Sequence, residues 1–168
     1  LDRSAAAQAA GAPVHPQVTA RTVSILLGFQ TFHPLAFTPV WGEALMGLMP
    51  WEEQVAKILG DDALRARIVT EARALADDPV VAGFMAPERT YVLGDPPNYA
   101  PTAADSVTGI AAARGTDVWD TFLDLLLVDG GRELLNSPVL NYSHGSLDVT
   151  REMLVHPPRT ASGIRSVV

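Results

Sequence analysis

TDVWDTFLDLLLVDGGRELLNSPVLNYSHGSLDVTREML, residues 116–154, reads as a helix, a strand and a second helix in succession. Over residues 116–128, Val118, Trp119, Phe122, Leu123 and Leu126 recur at helical spacing and predict a broad buried face. Residues 134–140 are mostly apolar without strict alternation, the pattern of a strand covered on both faces. Ser146 stands where an N-cap belongs and Asp148 complements the first turn of a helix running through Leu154. Pro157-Pro158 then ends it.

Upstream, residues 105–113 form another helix, divided from the first by Gly115. Residues 89–93 read as a strand closed by the turn Gly94-Asp95-Pro96-Pro97. Pro50 opens a helix that Gly60 closes, with Glu52 and Glu53 near its start. Asp61 or Asp62 caps the next, whose apolar stripe is Leu64, Ile68, Ala72 and Leu75. Residues 21–41 are interrupted by Gly28, Pro34 and Pro39, and predict a long loop with one helical turn. Residues 4–10 are an alanine-rich helix stopped by Gly11, and residues 12–18 a short strand. Residues 163–168 are strand-like.

Strands separated by helices imply a parallel sheet covered by helices, an α/β arrangement in one unit over residues 1–168. No repeat of fixed period and no linker divides it. A helix tail at the start and an uncovered strand at the finish make both ends look cut.

Composition narrows the function. Of 168 residues, 48% are hydrophobic and 18% charged, the balance of a packed chain rather than a disordered one. The net charge of −7 comes with one lysine, Lys57, and with no stretch of concentrated arginine. Nucleic acid and anionic membrane surfaces are therefore not expected partners. The apolar runs 23–27 and 125–128 are too short to span a bilayer. Without cysteine there is no disulfide, thiolate metal site or cysteine nucleophile. That absence fits a reducing, cytoplasmic compartment.

Familiar catalytic motifs are missing. No G-x-G-x-x-G follows a strand, and Lys57 has no phosphate-loop context. His144-Gly145-Ser146-Leu147-Asp148 lacks the second glycine of a nucleophile elbow. The histidines, His15, His33, His144 and His156, form neither H-x-H nor H-E-x-x-H. His144 and His156 flank one predicted helix, roughly 15 Å apart at about 1.5 Å per residue. Ligands of one zinc each lie about 2.1 Å from it, so these two do not share a metal. His156 suits a helix C-terminus, where it complements the dipole. His15 reads as a satisfied core histidine, and His33-Pro34 as either loop packing or a pocket residue.

Asn141-Tyr142-Ser143-His144-Gly145-Ser146-Leu147-Asp148-Val149-Thr150-Arg151-Glu152-Met153-Leu154-Val155-His156-Pro157 resembles a family motif. The motif is N-Y-x-x-G-N-L-D-x-V-R-E-M-L-x-H-P, from the N-acyl-D-amino-acid deacylase (D-aminoacylase-like) branch of the amidohydrolase superfamily. Gln17-Val18-Thr19-Ala20-Arg21, Leu26-Leu27-Gly28 and His33-Pro34 resemble its Q-V-x-x-R, L-L-G and H-P landmarks in order. Residues 62–67 resemble its D-P-x-L-R-A-R helix, and residues 116–127 the helix before the N-Y segment. The resemblance spans most of the chain.

It implies a fragment of a TIM barrel: the later βα units with an inserted helical region. It also implies zinc-assisted hydrolysis of the non-peptide C–N bond of N-acyl (D-)amino acids. There zinc lowers the pKa of a bound water and polarises the carbonyl while an aspartate shuttles the proton. The family's H-x-H ligands have no counterpart here, so no catalytic or metal-ligating residue is assigned and no zinc is expected on this chain alone. The family's G-L/I-S-D-G-G-A-H stretch begins at Gly163-Ile164, but Arg165 and Ser166 stand where Ser and Asp belong. A reading-frame slip near residues 166–168 is one explanation; resequencing that finds a natural stop codon and no slip removes it. Residues just past strand C-termini face a barrel's active site. Gln17, Arg21, Asn141, Tyr142 and His144, with His33, are accordingly the substrate-pocket candidates, Arg21 as a bidentate carboxylate clamp. The alternative is that they only tie loops to the barrel rim.

A full barrel takes about 250 residues, so a fragment is expected to be inactive alone and to self-associate through open strand edges. Two rivals remain: a non-enzymatic binding or assembly module from the same barrel, and another amidohydrolase of hydantoinase or dipeptidase type.

Overall fold

Three strands gather around the run 134–140. In this computed structural model, which describes residues 1–14, 17–47, 50–78, 82–83, 86–142 and 144–156, the central strand is β3, Leu135–Leu140. It is flanked by β1, Val23–Leu27, and β2, Tyr91–Val92, in the order β1-β3-β2. Both pairings are antiparallel: Leu27 faces Leu135, Val23 faces Leu140, and Tyr91 faces Asn136. The parallel sheet expected from helix-separated strands is thereby corrected. Strand direction depends on where each connection delivers the chain, which apolar patterning does not encode.

Two further expectations are corrected. Residues 12–14 and 17–18 carry no strand; the strand lies later, at β1, inside the stretch expected to be a loop. That same stretch continues into a 3₁₀ turn, Pro34–Phe37, and helix α2, Pro39–Ala44. Gln17 and Arg21 thus precede a strand instead of following one. The expected final strand, residues 163–168, and the Gly163-Ile164-Arg165-Ser166 departure lie outside the described residues, as does His15.

The helices follow the sequence signals closely. α1, Asp2–Ala9, ends at Gly11 with φ 84 and buries none of its residues. α3, Trp51–Gly60, and α4, Asp62–Leu75, meet at Asp61, whose side chain accepts the Leu64 N–H at 2.9 Å. α5, Val107–Arg114, stops at left-handed Gly115. α6, Val118–Gly131, leaves helical geometry at Val128, and Asp129 and Gly130 turn left-handed to aim the chain into β3. α7, Asp148–Val155, starts two residues after Ser146. Ser146 Oγ still accepts the Asp148 N–H, at 3.3 Å, so it orders the helix entry without occupying the cap position.

Among the described residues, no helix is long and apolar enough to cross a membrane. α3, α4, α5 and α6 bury their stripes in one core with α2. Phe122, Leu123 and Leu126 of α6 lie fully buried against the cluster that holds Ile58, Ile68, Leu35, Val40 and Leu45. Each such side chain contributes about 1.5–3 kcal/mol by leaving water. Leu27 and Leu135, opposite one another, extend this core into the sheet. Gly131, at φ 85, lets the backbone pass close to Val55 and Trp51, where a Cβ would sit 2.7 Å from Val55 Cγ2.

Candidate functional site

Because both neighbours run antiparallel to β3, β1 begins where β3 ends, whereas β2 pairs with Leu135 and Asn136 and the chain ahead of it, at Arg89, lies alongside the later half of β3. Three chain segments therefore converge at one end of the sheet. The approach to β1 brings Gln17, Thr19 and Arg21; the approach to β2 brings Arg89; the exit from β3 brings Asn141, Tyr142 and His144.

Asn141 adopts the left-handed conformation, φ 65, which asparagine tolerates better than most residues. Its Nδ2 donates to Thr19 Oγ1 at 2.6 Å, and that hydroxyl donates on to the Arg21 carbonyl at 3.0 Å. Thr150 of α7 returns a hydrogen bond to the Asn141 carbonyl at 3.3 Å. Tyr142 is buried beside Tyr91, ring edge to ring face with centroids 6.2 Å apart. Its hydroxyl donates to the Pro101 carbonyl at 2.5 Å. Burial raises the pKa of both phenols, so each stays neutral and protonated near pH 7.

Beside this hub is a recess of about 330 Å³ lined by Arg89, Pro138, Val139, Leu140, Asn141 and Tyr142. Two of the expected residues, Asn141 and Tyr142, line it. Arg21 is bracketed by Thr19, bonded to Asn141, and Val23, paired with Leu140, so it shares this end of the sheet without lining the recess. His144 is exposed in the turn before α7, and Gln17 is exposed ahead of β1.

His33 does not belong to this group, and its place as a pocket candidate is corrected. It follows β1 at the far end of the sheet, only 5% exposed. Its ring lies 4.5 Å from the Trp41 ring and 5.1 Å from that of Phe29. Nδ1 is buried with no hydrogen-bond partner among the described residues, and burial pushes the imidazole down to about 4. The aromatic residues that enclose it close the site from which a substrate would have to approach.

Arg89 is the lining residue that sequence reasoning missed. It was the first residue of an expected strand, whereas the strand begins at Tyr91 and leaves Arg89 at the end of a 3₁₀ turn, Pro87–Arg89. Arg89 lies two residues ahead of Tyr91, and nothing local in the sequence sets it beside the later half of β3.

The described residues bring no zinc centre together. Among the described residues, no three or more of His, Asp or Glu converge as metal ligands must. His33 is enclosed by aromatic rings, and His156 Nε2 lies 2.9 Å from Asp2 Oδ1 at the end of α7. No family model, curated protein or solved structure matches this chain.

Proposed function

We propose that this chain is part of a zinc-dependent amidohydrolase acting on N-acyl (D-)amino acids, and that it forms a substrate-facing wall instead of the catalytic centre. The supporting observation is the stretch 141–157. It resembles the deacylase branch over its whole length, and its first two residues line the recess at the end of β3. The barrel origin rests on that resemblance. On this reading the zinc ligands and the proton-shuttling aspartate are supplied from outside the described residues, in a cytoplasmic enzyme. Arg21 and Arg89 supply positive charge at the substrate end, and Tyr142 supplies a fixed, neutral wall.

The test is to sequence the coding DNA on both sides of residues 1–168 and to express the whole locus. The expected result is an H-x-H segment upstream, S-D-G-G downstream in some frame, and zinc-dependent hydrolysis of N-acetyl-D-leucine. If both segments are absent, the hydrolase reading fails and a binding or assembly module takes its place.

A further inference from the structure

We propose that His33 is an acid-sensitive latch: when its imidazole takes up a proton, the segment from Gly28 to Gly47 swings away from the helical layer while β3 and α6 stay folded. The geometry isolates the ring. It lies against Phe29 and Trp41, with the Trp51 ring 6.5 Å beyond Phe29, and Nδ1 has no partner among the described residues. Protonation turns both ring nitrogens into donors, and a buried donor without an acceptor is costly. The charged groups on the surrounding elements are engaged elsewhere. Glu43 of α2 pairs with Arg67 at 3.1 Å, Glu71 of α4 accepts the Val40 N–H at 2.6 Å, and Lys57 of α3 donates to the Ala44 carbonyl at 2.9 Å. In the turn into β3, Glu133 accepts the Leu134 N–H at 3.2 Å. Glu52 and Glu53 of α3, with Asp129 and Arg132 of that turn, face solvent. Burial is what lowers the His33 pKa, and none of these carboxylates compensates an imidazolium.

The same contacts show why the response is local. α2 is six residues long, and side chains tie it down: Glu71 at its first turn, then Lys57 and Gln54 at its end, Gln54 reaching the Leu45 carbonyl at 3.3 Å. Leu35, Val40, Trp41 and Leu45 are buried, which keeps the open form rare at neutral pH. α6 packs directly on α3, α4 and α5, and β3 holds β1 and β2 through backbone bonds. The rest of the molecule therefore keeps a core when the segment leaves, the condition for sub-global opening. With the imidazole at its ordinary 6.5 in the open form and at about 4 in the closed one, the open population rises about twentyfold between pH 7 and pH 5. The latch does not depend on the proposed function.

The test is amide hydrogen exchange of the full chain at pH 7 and pH 5, read by NMR and corrected for the intrinsic pH dependence of exchange. The Thr38, Trp41 and Leu45 amides, each hydrogen-bonded within the segment, report its opening. Their protection falls about twentyfold from pH 7 to pH 5. At both pH values they exchange faster than the amides of Phe122 and Leu126 in α6, as local opening requires. In His33→Phe the acid-induced loss in the segment disappears. Equal protection of the segment and α6, or the same loss in His33→Phe, overturns the latch. Should His33→Phe fail to fold, the imidazole resonances of the parent chain decide. A ring that stays neutral from pH 7 to pH 5 supports the latch, and one that titrates near 6.5 overturns it.

Discussion

At His33 burial works against charge. Above pH 6.5 the ring is neutral whether the chain is folded or not. Between pH 6.5 and about 4 the unfolded chain takes up a proton that the folded one refuses. Stability therefore falls across that window, by about 3 kcal/mol in all, and this contribution levels off below it. Asp105 and Asp117 have lowered folded pKa values, so their contributions are lost only below the usual carboxylate range. The two windows separate. In urea titrations at pH 7, 5.5 and 4.5, His33→Phe should flatten the decline seen in the parent chain; an unaltered slope would assign the acid sensitivity elsewhere. His33 stood out in the sequence, but its surroundings did not. Trp41, eight residues later, packs against it only because the intervening chain winds into a 3₁₀ turn and α2.

Among the elements, α6 shows how a capping signal acquires a second role. Asp117 Oδ1 accepts the N–H groups of Trp119 and Asp120 at 2.9 and 3.2 Å, while Oδ2 meets Arg73 of α4 at 2.8 Å. Burial raises the Asp117 pKa, but the Arg73 pair and the two N–H groups outweigh that and hold it low. Asp117→Ala should cost about 1–2 kcal/mol by urea denaturation, and Asp117→Asn, which keeps the cap acceptor, less. Equal losses would place the value in the Arg73 pair. Helices were legible because their caps and stripes are local: Asp61, Gly115 and the Leu64–Ile68–Ala72 stripe all lie within a few residues of what they govern. β1 was not, since its partner β3 lies roughly a hundred residues away. Val23-Ser24-Ile25-Leu26-Leu27 looked like a loop segment until Leu135–Leu140 was set beside it.

The whole molecule has β1 at the edge of its sheet, with no strand on the far side among the described residues. Val23 and Leu26 of that strand are 39% and 42% exposed. An apolar strand with unpaired backbone groups invites pairing with another chain. Sedimentation velocity should show concentration-dependent association, and Leu26→Lys should shift the distribution toward monomer; a monomer at all concentrations would oppose this. The site was legible in part. Asn141, Tyr142 and Arg21 share one end of the sheet, but Arg21 does so by preceding its strand, where the expectation had it following one. Arg89 emerged only with the antiparallel register, because its neighbours Pro138 to Tyr142 reach it across the sheet and not along the chain.

That register also bears on the order in which the molecule forms. Strands β1 and β3 meet only after a loop of roughly a hundred residues closes, and contacts of such high sequence separation form slowly. The helix pairs α3–α4 and α5–α6 join neighbours in sequence and carry little of that entropic cost. A chain caught early in refolding would display most of its helical circular dichroism while the segments around residues 19, 89 and 141 were still apart. The Asn141–Thr19 hydrogen bond at the end of β3 would then lag behind helix formation, making it a reporter of the final, topologically demanding step of folding.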